Sequence, residues 1–212
     1  MINQIWAELS AYSIPELVAV LASLLYIVLA ARNNRHCWPA AFVASNIFVI
    51  VLWQHRLLMD AALNVYYAAM AIYGWHVWQV QDTSNDRSPQ ASPIRSLALT
   101  SHWLAIAAIA ALSLVSGYWL DGNTDAAFPF LDSLTSWASL YATWLLAHRV
   151  LDNWLYWIPI DGTRIYVYVQ KELFFTAALF ALYTAMALYA YVNWRRIKKQ
   201  AAKPAAPAAM KN

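Results

Sequence analysis

Trp157, Asp161 and Arg164 stand at i, i+4 and i+7 in the run NWLYWIPIDGTRIYVYV (153–169), so on a helix one ring, one carboxyl and one guanidinium share a face. The run is apolar enough to cross a bilayer, yet Pro159, Asp161, Gly162, Thr163 and Arg164 sit in its middle. An ionised carboxylate at the centre of a membrane helix costs about 3 kcal/mol on insertion scales, so it faces a bundle interior or a watery cavity. Two readings follow. Either this face lines a path for a polar solute, or Asp161 and Arg164 neutralise each other inside a packed bundle. Asn64 adds an amide one turn from Asp60 and three residues before Tyr67, and Trp137, Tyr141 and Trp144 add rings with Thr143 among them. A cavity built from these groups would suit a small, flat, polar and cationic molecule, for which an aromatic face and an acidic group are both attractive. The same amides and hydroxyls also serve elsewhere as glue between membrane helices.

Other chemistries are poorly supplied. His36, His55 and His148 fall in connections and His76 and His102 at helix ends, with no metal-ligand pair or nucleophile arrangement. With four glycines there is no phosphate-binding loop, and the single cysteine, Cys37, has no partner for an internal disulfide. No cofactor, metal or catalytic residue is expected. A membrane-embedded enzyme is the remoter alternative, and it lacks a paired carboxylate or a Ser/His constellation at one depth.

The elements that must hold these residues are membrane helices. The chain is 62% hydrophobic and 12% charged with a mean hydropathy of +0.43, and a soluble domain carries about twice that charged fraction. Seven apolar segments are expected, at 14–31, 38–53, 60–78, 101–118, 132–147, 153–169 and 173–194. Trp38 with Trp53, and Trp154 with Tyr168, are expected at the membrane interfaces that bound the two shortest of them. QDTSNDRSPQASPIRS reads as a loop, and AAKPAAPAAMKN as a low-complexity tail. The N-terminus, with Glu8, lacks the basic stretch of a signal peptide. Alternate connections divide eleven Lys and Arg residues, six of them in the tail after residue 194 up to Lys203 and Lys211, from two, Arg56 and Lys171. The positive-inside rule then places the N-terminus outside and the C-terminus in the cytoplasm. The basic tail is a membrane-flanking end, with no nucleic-acid signature beside it.

Residues 21–78 align without a gap on 137–194, a shift of 116 positions that superposes Trp38 on Trp154, Gln54 on Gln170, Tyr67 on Tyr183, Met70 on Met186 and Trp78 on Trp194. Each copy holds three segments and one segment separates them, so the copies run parallel. The expected fold is an all-α membrane protein of seven transmembrane helices in a 3+1+3 arrangement, like SWEET transporters, with the solute site between the repeats. The divisions are an external N-terminus (1–13), a first repeat (14–78), a cytoplasmic loop (79–100), a linking helix (101–118), a second repeat (132–194) and a basic tail (195–212). The alignment sets Ser45 opposite Asp161 and Asn46 opposite Gly162, so polar interruptions occur at matching depth in the two halves.

The runs DAAFPFLDS (125–133), LAHRVLDNWLYWIPID (146–161), KELFFTAALFALY (171–183) and AIYGWHVW (71–78) resemble the PnuC family of bacterial vitamin transporters, in the right order over nearly all seven segments. The resemblance implies a homotrimer in the bacterial inner membrane and passage of nicotinamide riboside without ATP. The vitamin would be trapped by a cytoplasmic kinase. Relatives that carry thiamine make that vitamin the close alternative, and others carry riboflavin. It also implies a substrate site joining a Trp to an Asn four residues later, matched by Trp157 and Asp161, and a Gln at the place of Asn64. The chain departs from the riboside pattern at both polar positions. The candidate substrate-binding set is therefore Trp157, Asp161, Asn64, Asn46, Tyr67, Trp137, Tyr141 and Thr143.

Overall fold

The structure is a computed structural model that describes residues 13–54, 58–87 and 94–202. The expectations resting on Glu8, His55, Arg56, Lys203 and Lys211 lie outside these residues. Among the described residues the chain forms seven α-helices: α1 (Ile14–Ala31), α2 (Cys37–Gln54), α3 (Leu58–Arg87), α4 (Leu99–Asn123), α5 (Pro129–Ala147), α6 (Asn153–Gln170) and α7 (Phe174–Ala201). Their only pairing of extended backbone is a bridge between Arg95 and Val150.

Local chemistry sets the ends. Ser13 and Glu16 form a capping box at the start of α1, with Pro15 in the first turn, where no intrahelical N–H is needed. Pro129 opens α5 in the same way. Asn33 (φ 53°), Arg149 (φ 51°) and Glu172 (φ 58°) adopt the left-handed conformation in the turns after α1, α5 and α6, which lets the chain reverse within a few residues. Pro159 lies inside α6 without breaking it. The Thr163 hydroxyl donates to the Pro159 carbonyl at 2.9 Å.

Two helices are longer than their apolar cores suggest. α3 continues to Arg87, so residues 79–87 extend a helix where a loop is expected from residue 79. Asn, Asp and Ser lower helix propensity without forbidding it, and Pro89 is the first residue after Leu58 that would. α7 likewise carries Arg195 to Lys199 in its last turns, where cations face the negative end of the helix dipole.

α1 packs on α2, α2 on α3, α5 on α6 and α6 on α7, and the two triplets meet through α3 against α5 and α1 against α7. This pattern of neighbours is unchanged when α1–α3 are exchanged with α5–α7. α4 packs on α5, and its His102 hydrogen-bonds and stacks on Tyr156 of α6. Four helices, α1, α2, α4 and α7, are long and apolar enough to cross a membrane by length and composition. The other three hold most of the polar groups of the interior, including Asp60 and Asn64, Ser139 and Thr143, and Asp161.

Four indole rings close the centre. Trp38, Trp78, Trp154 and Trp194 are all at most 2% exposed, so Trp38 and Trp154 belong to the core and not to an interfacial belt. Their rings are too large to leave unpacked where helices converge, whereas Trp53, at the far end of α2, is 66% exposed as an interfacial ring would be. Trp38 meets Trp78 edge to face at 5.5 Å, Trp154 meets Trp194 edge to face at 5.5 Å, and Trp78 meets Trp194 at 6.0 Å. Their N–H groups follow the same two-fold pattern. Trp78 donates to the carbonyls of Leu146 and Ala147, Trp194 donates to that of Ala30, and those of Trp38 and Trp154 are buried without a partner.

Gly74 makes room for this cluster, because a Cβ there would lie 2.3 Å from Cζ2 of Trp38. Gly74→Ala should cost about 1–3 kcal/mol as overpacking, read as a lower melting temperature in detergent. Ala190, the position 116 residues on, already carries the Cβ, so Ala190→Gly should lose only about 1 kcal/mol.

Candidate functional site

A cavity of about 500 Å³ lies between the two triplets. Glu16, Asp60, Arg164 and Tyr168, near the starts of α1 and α3 and the end of α6, line one end of it. Trp38 and Trp154, at the starts of α2 and α6, form the other. Trp157, Asp161, Asn64, Tyr67 and Thr143 all line it, so five of the residues expected to meet a solute share one space.

Asp161 is 3% exposed. Arg149 pairs with Asp82 and His102 touches Asp152, whereas Asp161 and Arg164 form no contact pair with each other. Both side chains face the cavity instead. Arg164 lies beside Tyr168 and over the Phe180 ring at 5.8 Å. The amide of Asn64 donates to the Asp60 carbonyl at 2.9 Å, which leaves its oxygen for the cavity. Thr143 spends its hydroxyl hydrogen on the Ser139 carbonyl at 2.8 Å. Tyr67 lies against Ser139. The site thus offers a carboxyl, an amide oxygen, a guanidinium and several rings.

Three of the expected residues are placed elsewhere. Asn46 is exposed and donates to Phe42 within its own helix, because Ser45, one position and about 100° away, takes the inward direction. Trp137 donates to Ser116 of α4, and Tyr141 stacks on Trp144 and meets Tyr156. Ser139 and Thr143, one turn apart, point into the cavity, so residues two positions from either point away. Conversely, Ser45, Ser139, Trp38, Trp154 and Tyr168 line the cavity outside the expected set.

The signal that finds them is the internal repeat. All lining residues except Glu16, Val20, Tyr26 and Val51 fall into pairs 116 positions apart, among them Ser23 with Ser139, Trp38 with Trp154 and Tyr67 with Tyr183. Position is shared between the halves, but chemistry is not. α6 presents Trp157, Asp161, Arg164 and Tyr168 where α2 presents Ala41, Ser45, Phe48 and Leu52. The charged wall is therefore on α6, faced by Asp60 and Asn64 of α3.

A mostly apolar cavity that presents Asp60, Asn64, Asp161 and Arg164, lined in part by α1, α2 and α7, which are long and apolar enough to cross a membrane, is the arrangement of a membrane carrier. The profile of the family described as nicotinamide mononucleotide transporter matches residues 13–196, and the chain belongs to this family of multi-pass bacterial membrane transporters; it is not an enzyme. It is similar to the nicotinamide riboside transporter PnuC of Escherichia coli K12, at 24% identity over 84% of each chain. The PnuC of Haemophilus influenzae is 23% identical over 94% of this chain and 88% of its own. The riboflavin/roseoflavin transporter RibM of Streptomyces davaonensis is 21% identical over 89% and 88%. The crystal structure of a vitamin B3 transporter PnuC superposes with a TM-score of 0.71, covering 94% of this chain and 90% of that one at 17% identity.

Proposed function

We propose that this protein takes up a cationic vitamin, with nicotinamide riboside as first substrate and thiamine as the alternative, by facilitated diffusion through two parallel three-helix repeats. The observation that carries this reading is the buried Asp161 carboxyl facing the cavity beside Trp157, without an ion-pair partner. A cationic ring stacked on Trp157 would supply the missing counter-charge. The lining holds the carboxyls of Glu16, Asp60 and Asp161 against the one guanidinium of Arg164. A phosphate dianion is repelled by that balance, which favours the riboside over the mononucleotide of the family description. Riboflavin, neutral and larger, fits the carboxyl less well.

The distribution of Lys and Arg supports an external N-terminus and a cytoplasmic C-terminus, with the Glu16 and Asp60 end of the cavity facing outward. Capture by a cytoplasmic kinase and assembly as a homotrimer complete the proposal; both rest on the family resemblance. Binding of nicotinamide riboside and of thiamine to the purified protein, measured side by side, tests the substrate. At least one should bind, and binding of neither would overturn the reading. Proteoliposomes should equilibrate the bound vitamin down its gradient, with an enclosed kinase raising total uptake. Accumulation of unmodified vitamin above the outside level would refute passive transport.

A further inference from the structure

Beyond the tryptophans that floor the cavity lies a cation. Arg149, in the turn between α5 and α6, is 1% exposed, and its guanidinium carbon sits 4.3 Å from the centre of the Trp78 ring. Nη2 meets Asp82 of α3 at 2.6 Å, Nη1 donates to Gln81 at 3.4 Å, and Nε is buried without a partner. Burial pulls the guanidinium below its ordinary pKa, and Asp82 pushes it back up. The segment after α3 is tied to the same turn. The Arg95 N–H donates to the Arg149 carbonyl at 3.1 Å, the Leu151 N–H donates to that of Arg95 at 2.8 Å, and the Leu97 N–H donates to Asp152 at 3.0 Å.

The other half closes differently. The residues 116 positions from Arg149 and Asp82 are Asn33 and Lys198, and neither repeats the ion pair. There the contact is a neutral one, the Asn193 amide on the Ala31 carbonyl at 2.9 Å. Asp82 is 37% exposed, so its carboxylate keeps part of its hydration, and separating it from Arg149 costs less than parting a fully buried pair.

A cation leaving the cavity past Trp38 and Trp154 meets Trp78 and then Arg149, whose like charge opposes it for as long as the guanidinium stays under the ring. We propose that Arg149 is a gate residue: its pair with Asp82 holds the tryptophan floor shut, and its release opens the cavity toward the face that carries segment 94–98. The gate rests on the transporter reading given above. Arg149 acts on passage and not on affinity, because it lies under Trp78 and neither residue lines the cavity.

The test uses the full chain with Cys37→Ala and a reporter, Ala44→Cys, on the cavity wall. A membrane-impermeant thiol reagent is added to each side of oriented proteoliposomes in turn, and vitamin binding is measured in parallel. Asp82→Asn should raise labelling from the face that carries segment 94–98 about tenfold, the shift that accompanies loss of about 1.4 kcal/mol of closing free energy. Vitamin affinity should stay within about threefold, below about 0.7 kcal/mol. Exchanging the pair, Arg149→Asp with Asp82→Arg, should slow labelling again. Unchanged labelling in folded Asp82→Asn protein overturns the gate, as does a loss of affinity equal to the gain in labelling. Should Asp82→Asn not fold, Arg149→Lys, which keeps the charge but loses the planar fork, is read in the same assay, and slow labelling there counts against the proposal. A wild type that binds no vitamin removes the transporter reading while the labelling still decides whether the pair closes the floor.

Discussion

Trp78→Ala is expected to destabilise the folded protein by about 3–5 kcal/mol, the range for removing a large buried aromatic side chain. The change removes the edge-to-face contact with Trp38, the tilted contact with Trp194, the N–H donor to the Leu146 and Ala147 carbonyls, and the surface over which Arg149 lies. In a bilayer the unfolded reference is less aqueous, so the transfer part of this cost shrinks while the lost packing and hydrogen bonds remain. Trp78→Phe keeps most of the ring volume and drops the N–H, for a loss of about 1 kcal/mol. Thermal melting in one detergent should rank the two variants in that order. A Trp78→Ala protein that melts with the wild type would mean that the tryptophan cluster is not what joins the triplets.

The second large effect is on ligand binding. With no contact pair between Asp161 and Arg164 to break, Asp161→Asn should fold and express like the wild type. It should weaken a cationic vitamin by about 1.5–3 kcal/mol, the contribution of a hydrogen bond to a charged group, which is roughly tenfold to a hundredfold in Kd. Trp157→Ala should weaken it by a further 0.5–2 kcal/mol or so through the lost stacked ring. Asp161→Asn also restores the Trp-x-x-x-Asn pattern of the riboside carriers, so combined with Asn64→Gln it should move preference toward nicotinamide riboside if the wild type prefers thiamine. Titration calorimetry with both vitamins reads all three effects. Well-folded Asp161→Asn and Trp157→Ala proteins that bind like the wild type would take α6 out of the site.

Helix positions were legible because membrane segments advertise themselves by hydropathy, and α1 falls at 14–31 as expected. The far end of α3 was not, since residues 79–87 are mostly polar and it is the contacts of Gln81 and Asp82 with Arg149 that give a helix there something to hold. Asp161, Trp157, Asn64, Tyr67 and Thr143 line the cavity because polar and amphipathic groups in apolar helices turn inward. Trp38 and Trp154 were misplaced for a related reason. A ring near a helix end suits the interface as well as the core, and composition alone does not say which. Asn46, Trp137 and Tyr141 lie off the cavity because of their rotation about the helix axis, which the repeat register fixes better than residue type: Ser45 rather than Asn46 is the position matched to Asp161.

The left-handed backbone at Arg149 carries a further meaning. A non-glycine residue at φ 51° bears about 1 kcal/mol or more of local strain, which Asn at the corresponding turn, Asn33, tolerates far more readily than Arg. Local preference and tertiary role are in conflict at this position, a point of local frustration. Arg149→Gly should relax the turn while discarding the cation beneath Trp78, so the sum of the two effects on melting temperature should be small even as the floor loosens. Stability and closure would come apart at a single residue.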